Sequence, residues 1–232
     1  MNPLIFPLER MLNLLYPPLC TCCRKVLPSN QQQVCIRCQQ KLPYTSLHED
    51  IDNAFVQRFW GRIPVASGVA CFYFVKGGLV QQMIHHLKYE NKKDIGFQWG
   101  RIYTKKLLSH PVISQVDAIV PVPLHWKKQR LRGYNQAAYI ARGVAEVLQK
   151  PHYPKALVRN QYASSQTDKS RMQRLNNVEA AFSVAQAPLL KNKHILLVDD
   201  VMTSGATLEA CAIPILELEN TMVSMLTLAI AM

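Results

Sequence analysis

Charge is scarce in this chain, and negative charge is scarcer still. Of 232 residues, 18% are charged, below the usual quarter for a globular chain. The shortage falls on the acids: 15 Asp and Glu face 27 Lys and Arg, a net charge of +12. Such a balance favours polyanionic partners, either nucleic acid or a phosphate-rich small ligand. No apolar run approaches the ~20 residues of a membrane span, so an integral membrane protein is not expected. Residues 1–15 are apolar, but no basic stretch precedes them and Glu9-Arg10 interrupts them, so they do not have the form of a signal peptide. Leu4, Leu8, Met11, Leu12 and Leu15 recur instead at helical spacing and predict a short amphipathic helix, stopped by Pro17-Pro18. Internal repeats and low-complexity segments are also missing. What remains is a globular chain long enough for one main domain plus a small module.

The cysteines are clustered. They stand at 20, 22, 23, 35, 38, 71 and 211, which is not the spread of a disulfide framework. Without a secretory signal they point to metal in a reducing compartment. Cys20-x2-Cys23 and Cys35-x2-Cys38 are two knuckles at zinc-ribbon spacing, and four thiolates make a closed tetrahedral site. A segment this short has little core, so the metal would supply its folding energy. Cys22 leaves the first knuckle open, because 20/22 and 22/23 are further pairings. Pro28-Ser29-Asn30 predicts the turn between the knuckles, and Lys41-Leu42-Pro43 the exit. The expected organisation is therefore a helix and zinc ribbon over 1–43 and a larger domain over 44–232.

The larger domain has one dense motif. Ile195 to Val198 is an apolar run without alternation, as in a strand buried on both faces of a parallel sheet. Asp199 and Asp200 follow where that strand should end. Then come Thr203-Ser204-Gly205-Ala206-Thr207 and the start of a helix. Amides at a helix N-terminus, the helix dipole and hydroxyl donors make an anion site. Gly205 lets backbone approach a phosphate closely. The two carboxylates accept hydrogen bonds and repel phosphate, so they suit sugar hydroxyls or a metal-bridged group. Together they describe a ribose 5-phosphate pocket at the carboxyl ends of the strands.

Upstream elements alternate in the same manner. Strands are predicted at 68–75, 116–120, 156–159, 180–184 and 223–230, the last by alternation. Helices are predicted at 79–88, 94–109, 137–149 and 206–218, with a kink at Pro214. Residues 44–66 carry no clear motif. Cys71 is a core residue of its strand, and His85-His86 is not expected to be a metal pair, since adjacent helix positions point apart. Pro121-Val122-Pro123-Leu124-His125 stops the second strand. Four cations then lie within six residues: Lys127, Lys128, Arg130 and Arg132, flanked by Trp126 and Tyr134. That pattern reads as a solvated basic turn, a pyrophosphate contact or a single-strand nucleic-acid contact. Residues 160–177 are polar and cationic, a long connection of the sort that is usually functional or mobile.

In order, the motifs are the four-cysteine ribbon, Leu87-Lys88-Tyr89, Val120 to His125, Arg132-Gly133-Tyr134-Asn135-Gln136, Gln166-Thr167 with Arg171, Arg174 and Asn177-Val178, Ala181-Phe182, and the Asp-Asp loop. Over nearly the whole chain this resembles the ComF family of bacterial competence proteins. The Asp-Asp loop itself resembles the phosphoribosyl-pyrophosphate (PRPP) signature of type I phosphoribosyltransferases. The resemblance implies an α/β, parallel-sheet phosphoribosyltransferase-like domain behind a structural zinc ribbon held by Cys20, Cys23, Cys35 and Cys38. It implies a cytoplasmic protein serving natural transformation, with single-stranded DNA and other DNA-uptake proteins as partners. Asp199 and Asp200 would take the ribose hydroxyls, and Thr203, Ser204, Gly205, Ala206 and Thr207 the 5′-phosphate. Pro123, Leu124 and His125 would form the pyrophosphate loop. Lys169, Arg171 and Arg174 would stand on a mobile catalytic loop. Trp126, Lys127, Lys128, Arg130, Arg132 and Tyr134 would meet DNA. Magnesium would come with PRPP. The alternative is an active transferase that moves ribose 5-phosphate from PRPP to a nucleobase or amine. Purine-salvage enzymes of this class usually carry an acid where Thr203 stands, so their base chemistry is not expected.

Overall fold

A computed structural model describes residues 17–20, 22–27, 34–90, 92–160 and 181–231. The N-terminal helix, the turn at 28–30, and Lys169, Arg171 and Arg174 lie outside the described residues.

Four strands form one parallel sheet: β1 Ser67–Phe74, β2 Ala118–Pro121, β5 His194–Met202 and β6 Met222–Ala231, in the order β1-β6-β5-β2. Two short strands, β3 Leu157–Arg159 and β4 Phe182–Val184, pair antiparallel as a hood beside it. Apolar residues on β5 divide by parity: Leu196 and Val198 enter one buried core, Ile195 and Leu197 the other, as the pleat requires of a strand covered on both faces. The first core is closed by α3 Leu79–Tyr89, α4 Lys93–Lys106 and α6 Gln136–Leu148; the second by α7 Ala206–Leu216, by the hood and by residues 47–59. Close helix packing is set by glycine: a Cβ on Gly100 would stand 2.4 Å from the Ile140 carbonyl, and one on Gly143 2.2 Å from that of Phe97.

The final strand is not the alternating strand its sequence predicts. β6 is central, and its polar positions are buried with partners: Ser224 Oγ lies 2.8 Å from His194 Nε2, and Thr227 Oγ1 donates to the Ala229 carbonyl at 2.9 Å. Its length also carries β5 further than the apolar run suggests. Asp199 pairs with Thr227 and Met202 with Ile230, so the acids lie inside the strand rather than beyond it.

The ribbon segment packs onto the sheet domain. Cys20, Leu27, Val34, Cys38 and Leu42 belong to the same apolar core as Phe72, Leu87 and Trp99. The first knuckle turns through Arg24, in the left-handed region at φ +61°, with Arg24 N donating to Cys20 O at 2.8 Å. The second runs into α1 Ile36–Lys41. Tyr44 then bridges Phe72 at the edge of β1.

Candidate functional site

Neighbouring residues on a strand point to opposite faces, and the two acids do so. Asp200 faces α3, where Lys88 Nζ lies 2.9 Å from its Oδ2. Asp199 shares the parity of Ile195 and Leu197, the face toward α7 and its buried Cys211. The two are joined along the backbone, since Asp200 N donates to Asp199 Oδ1 at 2.8 Å. Burial, then the Asp200 charge, pushes the Asp199 carboxyl up to about 7; the Asp200 amide and Lys88 oppose the rise.

The anion loop follows at once. Gly205 holds φ +83°, where other residues are strained. A Cβ there would also stand 2.9 Å from Phe59 Cζ. No side chain caps α7, and Ser204 Oγ accepts from Ala206 N at 3.4 Å. The first-turn amides therefore face a cradle of exposed Thr203, Ser204, Ala206 and Thr207. Asp199 lines the same small cavity.

Residues 44–66, silent in the sequence, build the back wall of this loop. Asn53 caps α2 Ala54–Gln57, accepting from Phe55 N at 2.8 Å and donating to Gly68 O at 2.9 Å. Past α2, Phe59 packs under Gly205, and Arg58 donates to the carbonyls of Thr203 and Ala231. Arg62 grips Glu209 of α7 through both carboxylate oxygens, with Nε to Oε1 at 2.8 Å.

On the other side stands the 123–125 loop. Val122 N donates to Val198 O at 2.9 Å, so the loop leaves the sheet beside the acids. His125 Nδ1 accepts from Lys127 N at 3.2 Å. Desolvation, then the charges of Arg159, Lys127 and Lys128, hold its imidazole below the ordinary range. Arg159 thus brings the hood's charge to this loop. The hood's pairing continues past Arg159, where Asn160 N donates to Ala181 O at 2.9 Å.

Trp126–Arg132 is a helix of its own, α5, where the sequence predicts only a lead-in. It buries no residue. Trp126 is 48% and Leu131 77% exposed, Lys127 lies over the Trp126 ring at 5.5 Å, and Lys127, Lys128 and Arg130 are exposed beside them. Tyr134 corrects the expectation. It is 8% exposed, and its hydroxyl donates to the Leu87 carbonyl, so its ring is no stacking platform. Arg132 is partly spent as well, donating to Gln136 Oε1 at 2.9 Å and covering the Tyr89 ring at 5.3 Å.

Cys20, Cys23, Cys35 and Cys38 converge, with all four sulfurs within 4.8 Å of one another. Cys22 is not in that group. Cys23 and Cys35 Sγ are 3.8 Å apart, matching the edge of about 3.8 Å that a tetrahedron of ~2.3 Å zinc–sulfur bonds requires. Cys35 N donates to Cys20 Sγ at 3.4 Å. The donor set fits zinc. Ligand atoms of His85, His86 and Glu90 also lie within 4.8 Å of one another, closer than adjacency on a helix predicts. There, however, Glu90 Oε1 already holds His86 Nδ1 at 2.7 Å and Arg24 Nη2 at 3.0 Å.

The sequence signals that missed Lys88, Arg58 and Arg159 are plain. Each is a lone cation whose partner is distant in sequence; Lys88 alone sat in a noted motif, Leu87-Lys88-Tyr89.

A parallel sheet ending in an acid pair and a Thr-Ser-Gly-Ala-Thr cradle, with a four-thiol cluster ahead of it, defines a type I phosphoribosyltransferase-like α/β protein. Its relatives narrow the class. The chain is 27% identical over 198 residues to competence protein F of Haemophilus influenzae, covering 82% of this chain and 80% of that one. It is 24% identical to the DNA utilization protein YhgH of Escherichia coli K12, over 84% and 89% of the two chains. It is 32% identical over 127 residues to ComFC of Bacillus subtilis, spanning 54% of this chain and 45% of that relative. The chain is thus similar to competence and DNA utilization proteins, in keeping with the ComF resemblance of its motifs. No family model matches it. Among solved structures, a glutamine PRPP amidotransferase from B. subtilis, complexed with ADP and GMP, aligns loosely. Its TM-score is 0.42 at 17% identity, over 62% of this chain and 30% of that one. The allosteric regulatory enzyme of purine biosynthesis aligns similarly, with a TM-score of 0.43 at 18% identity, over 62% and 29%.

Proposed function

We propose that this chain is a cytoplasmic competence protein: a PRPP-binding, zinc-stabilised domain that assists the handling of single-stranded DNA. The observation that carries the reading is the placing of the acid pair, the anion cradle and the exposed cationic helix α5 around one end of one sheet. Among the described residues no helix is long and apolar enough to cross a membrane.

Each part has a task that its chemistry suits. Asp199 and Asp200 accept the ribose hydroxyls. The cradle from Thr203 to Thr207 takes the 5′-phosphate on first-turn amides and hydroxyls. Pro123-Leu124-His125 borders the pyrophosphate, with Lys88 and Arg159 as nearby cations. PRPP would bring magnesium, which would offset its charge while bound mainly through phosphate oxygens. Cys20, Cys23, Cys35 and Cys38 would hold zinc, which would fix the ribbon. Trp126 with Lys127, Lys128 and Arg130 offers DNA a stacking face and phosphate contacts.

The intact loop also supports the second reading, turnover of PRPP with an acceptor base or amine. Release of pyrophosphate in the presence of an acceptor separates the two. The functional test is transformation frequency in a deletion strain of a naturally transformable host. The wild-type gene restores it and Asp199→Ala/Asp200→Ala does not. Full restoration by the double variant would remove the ribose-phosphate site from the function.

A further inference from the structure

The Arg132-Gly133-Tyr134-Asn135-Gln136 corner is not absorbed by that account, because Tyr134 is buried and Arg132 is engaged. Three of its contacts reach segments bordering the acid pair. The last four carbonyls of a helix have no partner within it. Leu87 is one of these in α3, and it receives the Tyr134 hydroxyl. Arg132 covers the ring of Tyr89. The residue between those two anchored positions is Lys88, whose ammonium lies 2.9 Å from Asp200. Asn135 Nδ2 meanwhile donates to the Val122 carbonyl at 2.9 Å, the residue before the 123–125 loop.

We infer that Tyr134 is a positioning residue of the ribose-phosphate site: its hydroxyl fixes the last turn of α3 and thereby holds Lys88 against Asp200. Lys88 is then a binding residue of the site. It is the cation ion-paired to the acids among the described residues, and on the ribose-phosphate reading its charge would meet that of an incoming phosphate ester. The inference rests on reading the acid pair as the ribose site. Tyr134 acts through Lys88, not on the ligand, because its buried hydroxyl is already spent on Leu87.

The test is a double-mutant cycle on the full chain, titrating PRPP with magnesium by calorimetry. Lys88→Met should weaken binding at least about tenfold, as loss of a charged hydrogen-bonding group does. Tyr134→Phe keeps the ring and removes only the hydroxyl, and should weaken binding about fivefold. In the Lys88→Met background Tyr134→Phe should cost nothing further, since contacts that act as one unit do not add. Unchanged affinity in Tyr134→Phe, or additive losses in the double variant, overturns the inference while leaving the site in place. No PRPP binding by the wild type overturns the site reading and the inference with it.

Discussion

Asp199 and Asp200 point to opposite faces of β5, yet the amide of Asp200 donates to Asp199 Oδ1 at 2.8 Å, so one carboxylate is held in place by the other's backbone. Burial and the Asp200 charge raise the Asp199 carboxyl to about 7, against about 3.9 in an unfolded chain. The folded protein therefore binds a proton that the unfolded chain has lost. Stability conferred by that proton is full below about 4 and declines as pH rises from about 4 to 7.

Asp199→Asn should accordingly raise the melting temperature of the ligand-free protein at pH 8 and change it little at pH 4. Each 1 kcal/mol regained is worth roughly 3 °C in a chain of this size. PRPP affinity should move the other way, because a neutral amide is the poorer acceptor for ribose hydroxyls. Scanning calorimetry at both pH values checks the first part. An equal shift at pH 4 and pH 8 would contradict the ionisation argument.

Zinc should be present at one ion per chain, and Cys35→Ser should release it. The ribbon shares an apolar core with Leu87 and Trp99, so metal loss should also lower the melting temperature of the whole chain. Elemental analysis of protein purified without chelator, paired with a melting curve, reads both. Metal-free wild-type protein with an unchanged melting curve would remove zinc from the account.

DNA binding should divide between two kinds of residue on α5. Reversing Lys127, Lys128 and Arg130 should flatten the salt dependence of single-strand affinity by about two units, at ~0.7 per phosphate contact. Arg132 is left out because it holds Gln136 and Tyr89. Trp126→Ala should cost roughly 1–3 kcal/mol with little change in slope. Strand affinity at low salt equal to wild type in the triple reversal would take α5 out of the DNA interface.

Much of the sheet was legible because buried parallel strands write themselves as apolar runs, as at Ile195 to Val198. The loop was legible because acids, hydroxyls and a glycine fall in one short stretch. Three things were not. Ser224 and Thr227 made β6 read as an alternating strand, since their partners, His194 and the Ala229 carbonyl, are invisible to periodicity. Tyr134 looked like a nucleic-acid aromatic because it follows four cations, and only the fold brings Leu87 to its hydroxyl. The wall under Gly205 comes from Asn53, Arg58 and Phe59, single residues whose meaning lies in contacts with strands and loops far along the chain.

The central claim is that the end of β5 is a PRPP site, and a thermal shift tests it most directly. With PRPP and magnesium at a hundredfold excess over the dissociation constant, linkage predicts about 2.7 kcal/mol of added stability. The wild-type melting temperature should rise, and Asp199→Ala/Asp200→Ala should lose most or all of that rise. A wild-type melting temperature unmoved by millimolar PRPP and magnesium would contradict the account.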